Sequence, residues 1–340
     1  MLIKATYIPN SATTPILHTM TITHSNPPYH QGYLPSRQGH TLFFAEYGCP
    51  DAPVSVVLHG GPGSSCNTSM LKWFDLATQR VVLFDQRGAG RSLPSGLLTQ
   101  NTTSELIEDI EHLRTHLQIE RWLVIGGSWG ALLAILYTGK HPERVNGLIL
   151  RGVFLAHQEE MIWFFQSIKA LIPDAWSQLT EGWTVQQRQN VLQNLTEMLL
   201  NGTTQQQWDA TLRWSHYENS IMAAMLGQTP PRPSLTPPSK ALCAKYRIQA
   251  HYLSQACFTN ETELMENAMR IPQQLPVILI HGTHDWICPP ANAVRVKAML
   301  AHTDLRWCAK GTHTPQDPGI LAALQNAIAQ HKPDIFSQTA

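Results

Sequence analysis

A serine hydroxyl is a weak nucleophile until a base takes its proton and N–H donors await the oxyanion that its attack creates. Gly126-Gly127-Ser128-Trp129-Gly130 follows an apolar run, Trp122 to Gly127, and opens a helical stretch beginning near Trp129. In that setting G-x-S-x-G is a sharp strand-to-helix turn. Flanking side chains would collide in it, hence the glycines, and the turn lifts the Ser128 Oγ clear of the sheet. The helix that follows offers backbone N–H groups and a positive dipole end to a developing negative charge. The competing reading is a glycine-rich turn with an ordinary capping serine.

In sites of this kind the acid and the base follow the serine in the order Asp or Glu, then His. His281-Gly282-Thr283-His284-Asp285 closes the apolar run Val277 to Gly282, so Asp285 falls in a loop at a strand's C-terminal edge, where sites of open α/β sheets gather. His313, in Gly311-Thr312-His313-Thr314-Pro315, lies beyond the next run, Leu305 to Lys310, and reaches the same edge. These make Ser128 the nucleophile, His313 the base and Asp285 the residue that orients it, with Asp304 and Asp317 as rival acids. His281 is expected buried at a strand end, His284 in the loop, and His302 on the helix leading into the last strand.

His59-Gly60-Gly61-Pro62-Gly63 follows another apolar run, and glycine there lets the backbone pass close to a substrate carbonyl. The N–H of Gly61, with Gly60 as the alternative, would pair with that of Trp129 as the oxyanion hole. A phosphate-cradling loop is the other reading, but no Lys-Ser/Thr pair follows. His59 itself reads as structural. Asp85-Gln86-Arg87-Gly88-Ala89-Gly90-Arg91-Ser92 reads as a tight turn whose charges tie it to its neighbours rather than as a source of catalytic groups.

The elements that must position these groups are legible. Val54 to His59, Arg80 to Asp85, Trp122 to Gly127, Gly147 to Gly152, Val277 to Gly282 and Leu305 to Lys310 are short, β-branched and apolar nearly throughout, as strands buried on both faces of a mostly parallel sheet are. Between them, Glu105 to Leu117 puts Leu106, Ile110, Leu113 and Leu117 on one helical face, and Trp129 to Lys140 is apolar enough for a buried helix. Alternating strands and helices imply right-handed βαβ units in a three-layer α/β domain. From Val153 to Met269 the strand runs stop and amphipathic, Trp-containing stretches replace them. The chain thus divides into a core, 1–152 with 270–340, and a helical insertion, 153–269, in which the Pro-rich piece Thr229 to Pro238 is a loop.

Among 340 residues, 24 Lys plus Arg balance 24 Asp plus Glu, so no overall field draws in nucleic acid or an anionic membrane. The six cysteines show neither a C-x-x-C pair nor zinc spacing, which predicts reduced thiols in a cytoplasmic protein and no metal or other cofactor. Residues 1–20 lack the apolar core of an export signal, and no run approaches the length of a membrane span, so a soluble protein is expected.

Together HGGPG, DQRGAGRS, GGSWG, Leu150-Arg151-Gly152, HGTHDWICP and the late Gly-Thr-His resemble the proline iminopeptidase (prolyl aminopeptidase) family of α/β hydrolases, over about residues 29 to 325. The resemblance implies the α/β-hydrolase fold, with a mostly parallel central sheet, helices on both faces and an inserted helical cap. It implies removal of an N-terminal proline from small peptides without a metal. It also implies acidic cap residues that hold the substrate's amino group. Trp214-Ser215-His216-Tyr217-Glu218 resembles one such segment and makes Glu218 a candidate. Arg247-Ile248-Gln249-Ala250-His251-Tyr252 resembles another, R-I-E-x-H-Y, but carries Gln249 at the acidic position. That departure leaves open an esterase or amidase acting on a small metabolite. A binding module without catalysis is the third reading.

Overall fold

The computed structural model describes residues 27–331, so the reading of residues 1–20 lies outside the described part. Eight strands form one sheet: β1 (His30–Tyr33), β2 (Phe43–Gly48), β3 (Val54–Leu58), β4 (Arg80–Phe84), β5 (Trp122–Gly127), β6 (Val145–Arg151), β7 (Val277–Gly282) and β8 (Asp304–Cys308). Their order is β1-β2-β4-β3-β5-β6-β7-β8. All neighbours from β4 to β8 run parallel, whereas β1 and β2 add an antiparallel edge. The six parallel strands are the six apolar runs. The edge pair was not expected, because β1 (HQGY) is polar and mostly exposed and β2 interrupts its apolar run with Glu46. Burial of Glu46 is offset by Arg80, 2.6 Å away, and by the Tyr29 hydroxyl at 3.1 Å.

Strand alternation divides the core into two layers. Trp122 and Val124 of β5 face one side with α1 (Thr103–His116) and α2 (Trp129–Lys140), while Leu123 and Ile125 face the other with the last helix. All α2 side chains from Trp129 to Tyr137 are buried, as its composition required. After β6 come α3 (Gln158–Ile162), α4 (Pro173–Leu179), α5 (Val185–Gln189), α6 (Val191–Asn201), α7 (Thr204–Met225), α8 (Lys240–Ser254) and α9 (Glu261–Arg270), then α10 (Ala291–Met299) before β8 and α11 (Pro318–Gln330) at the end. Residues of α4, α6, α7 and α8 surround their own core, built on Trp214, Tyr217, Leu195 and Tyr246. Helix α9 instead packs on α2, with Asn267 against Gly139, where a Cβ would come within 2.2 Å of the Asn267 carbonyl. The Pro-rich piece carries no regular structure. His302 was expected on a helix but lies in the turn after α10, because that helix ends at Met299.

Candidate active site

Ser128 joins β5 to α2 with φ 57° and ψ −125°, a conformation that L residues rarely hold and that a closely packed turn must enforce. Its glycines are sterically compulsory. A Cβ on Gly126 would meet the Gly130 carbonyl oxygen at 2.2 Å, and one on Gly130 would meet the Leu58 oxygen at 2.0 Å. The Ser128 N–H donates to Arg151 O of β6 at 2.9 Å, which anchors the turn to its neighbour strand.

Asp285 and His313 meet at the same sheet edge, from the loops after β7 and β8. His313 Nδ1 lies 2.7 Å from Asp285 Oδ2. A carboxylate only accepts, so Nδ1 carries the proton and Nε2 is left as the acceptor. Asp285 Oδ1 accepts from the N–H groups of Ile287 at 3.0 Å and Cys288 at 2.8 Å. Burial would raise the Asp285 carboxyl, but His313, its hydrogen bond and the Cys288 N–H outweigh burial and hold it below the usual carboxylate range. Gly152 (φ 52°) leaves room for the pair: a Cβ there would stand 3.1 Å from Asp285 Oδ2 and 3.2 Å from His313 Nδ1. Arg151 donates from Nη1 to His313 O and so ties the His loop to β6. The rival acids are occupied elsewhere, Asp304 by Arg306 and Asp317 as the N-cap of α11. His281 is buried with Nε2 2.9 Å from Cys288 O, and His284 lies in the loop.

The His59–Gly63 loop sits against the serine: a Cβ on Gly60 would be 3.4 Å from Ser128 Cβ. Gln86 locks the two together. It donates from Nε2 to His59 O at 2.9 Å, accepts from Trp129 Nε1 at 2.9 Å, and its own N–H donates to His59 Nε2 at 3.0 Å. Trp129 is the first residue of α2, so its N–H has no carbonyl one turn back. Asp85 accepts from the N–H groups of Cys66 and Arg91, both at 2.9 Å, and Arg87 pairs with buried Asp109, so the turn after β4 is structural as its glycines and charges implied.

Ser128, Gly60, Gly61 and His313 line a cavity of about 330 Å³ whose opposite wall comes from the insertion: Phe164, Glu218, Met222, Lys245 and Gln249. Glu218 of α7 does face the site, and three donors surround it. Its Oε2 accepts from Tyr246 OH at 2.7 Å and Lys245 Nζ at 3.0 Å, and its Oε1 from Gln249 Nε2 at 2.6 Å. Lys245, Arg151 and Cys288 were missed as pocket residues. Arg151 is the one with a signal, since it is the only charged residue in β6 (VNGLILR) and stands at its C-terminal end, the edge where the site gathers. Lys245 sits one turn before Gln249 on α8, and Cys288 is three residues past Asp285. Glu160 was also missed. Its carboxylate accepts from the N–H groups of Leu155 and His157 and from Asn292, and burial pushes it up to about 7. No group of three or more His, Cys, Asp or Glu side chains is arranged for a metal among the described residues, nor is any helix there long and apolar enough to cross a membrane.

Residues 53–318 match the family model described as the alpha/beta hydrolase fold. The chain is 36% identical over 305 residues to the proline iminopeptidase of Arabidopsis thaliana, covering 87% of this chain and 78% of that one. It is also 36% identical over 299 residues to the proline iminopeptidase of Xylella fastidiosa, covering 87% and 95%. Among solved structures it resembles the proline iminopeptidase-related protein of Thermus thermophilus, with a TM-score of 0.54 and 22% identity over 88% of this chain and 97% of that one, a likeness of fold.

Proposed function

We propose that this chain, which belongs to the proline iminopeptidase family of α/β hydrolases, is a serine aminopeptidase that removes the N-terminal residue, proline foremost, from short peptides. The observation that carries the reading is the convergence on one cavity of Ser128, strained at the head of α2, with the His313–Asp285 pair. Ser128 Oγ attacks the scissile carbonyl while His313 Nε2 takes its proton. Asp285 fixes the imidazole tautomer and stabilises the imidazolium. The N–H groups of Trp129 and Gly61 receive the oxyanion. His313 then passes its proton to the leaving amine, and water repeats the sequence to free the enzyme.

Within residues 153–269 the helices from α3 to α8 act as a cap, while α9 is seated on α2 of the core, and Glu218 is the carboxylate that meets the substrate's amino group. The six cysteines are all free thiols, which supports a reducing, cytoplasmic setting. A second reading, an esterase or amidase, is favoured by one observation: Glu218 already has an ammonium partner and Gln249 is neutral. Chromogenic anilides and acetyl esters, varied in the free α-amine and the proline ring, separate the two. Prolyl anilide should be cleaved with the highest kcat/KM of the anilides. Turnover confined to amine-free esters would overturn the aminopeptidase reading.

A further inference from the structure

Glu218 and Lys245 form a compact ion pair in the wall of the cavity, with Lys245 held in place by the neighbouring aromatic ring. Lys245 Nζ is 3.0 Å from Glu218 Oε2, 3.2 Å from Tyr246 OH and 4.4 Å from the centre of the Tyr246 ring. Both side chains are mostly buried, at 27% and 18% exposure, so water screens the pair only in part. The cap wall of the pocket therefore offers one carboxylate whose charge an internal ammonium already balances. Beside it stands Gln249, 6% exposed, whose orientation the network decides. Glu218 Oε1 only accepts, so the amide nitrogen must face it, and Gln249 Oε1 remains a buried acceptor without a partner in the cavity wall.

An incoming ammonium meets these groups together. It can donate to Gln249 Oε1 and to the remaining lone pair of Glu218, but it must do so beside the Lys245 ammonium. We propose that Lys245 is the specificity-determining residue of this subsite: it neutralises Glu218, so that the pocket recognises the substrate's N–H through Gln249 Oε1 with little preference for a positive charge. The inference rests on the assignment of this cavity as the substrate site.

Two isosteric anilides test it, prolyl and tetrahydro-2-furoyl, which differ in an ammonium against an ether oxygen. The ratio of their kcat/KM values is measured for the wild type, Lys245→Met and Lys245→Arg. Removing the repelling charge in Lys245→Met should raise the prolyl-to-tetrahydrofuroyl ratio by about tenfold or more, since like charges several ångströms apart in a half-buried site repel strongly. Lys245→Arg should keep the wild-type ratio. Calorimetric binding of prolinamide to Ser128→Ala, with and without Lys245→Met, reads the same effect without turnover and should tighten about tenfold. A wild type that cleaves neither anilide while prolinamide binding still tightens would defeat the aminopeptidase reading and leave Lys245 in its role. An unmoved or lowered ratio with unmoved binding would overturn the role of Lys245 alone.

Discussion

Replacing Asp285 by Asn preserves shape and tests the charge and the tautomer together. Asp285 Oδ1 accepts from the N–H groups of Ile287 and Cys288, so the amide oxygen of the variant is held at that position and its NH2 is turned toward His313 Nδ1. Two donors cannot share a hydrogen bond. His313 must then move its proton to Nε2, where it can no longer receive one from Ser128. Restoring the working tautomer by flipping the amide would forfeit both buried backbone bonds, at about 1–1.5 kcal/mol each, and the lost charge-assisted bond to the imidazolium adds about 2–3 kcal/mol. The sum, about 4–6 kcal/mol, corresponds to a loss of about a thousand- to twenty-five-thousand-fold in kcat. Saturation kinetics on prolyl anilide should show that loss with KM little changed. Thermal unfolding should still show a folded chain, because Asn keeps the volume and both backbone hydrogen bonds to Ile287 and Cys288. A folded variant retaining a tenth or more of wild-type kcat would refute the tautomer argument.

Two further outcomes follow from the pocket. Glu218→Gln removes the carboxylate facing the site and leaves Lys245 unbalanced, so kcat/KM for free-amine anilides should fall about 10- to 150-fold, and far less for amine-free esters; equal losses on both would remove Glu218 from amine recognition. Glu160, raised to about 7 by burial, binds a proton in the folded chain between its unfolded value of 4.5 and that pH, so its contribution to stability falls as pH rises through this window. Denaturant unfolding at pH 5 and pH 8 should show the wild type losing up to about 3 kcal/mol relative to Glu160→Gln across that interval, and a constant difference would show that Glu160 ionises normally.

How far the sequence reached depended on where each signal lay. The parallel strands were legible because burial on both faces writes an unbroken apolar run, and the turn at Ser128 because glycine is compulsory where a Cβ would strike a backbone oxygen at 2.0 or 2.2 Å. Strands β1 and β2 escaped because a half-exposed edge and a buried Glu46 break the pattern, and the partners that make Glu46 tolerable come from 34 residues away in Arg80 and from Tyr29. Asp285 and His313 were located by chain order and loop position, whereas their 2.7 Å approach depends on the parallel pairing of β7 with β8. The wall opposite was the least legible. Glu218 and Gln249 came forward through family resemblance, but the charge balance around them is set by Lys245, which reaches Glu218 only because α7 and α8 pack side by side. Nothing in a single helix's periodicity marks such a pair.

As the nucleophile of an aminopeptidase site, Ser128 should be the residue that an active-site-directed phosphonate labels. A fluorophosphonate titration, followed by peptide mapping and by residual turnover of prolyl anilide, tests it most directly. One adduct per chain is expected, on Ser128, with activity falling in proportion to labelling, and no adduct in His313→Ala. Labelling at another residue, or turnover that survives full modification of Ser128, would contradict it.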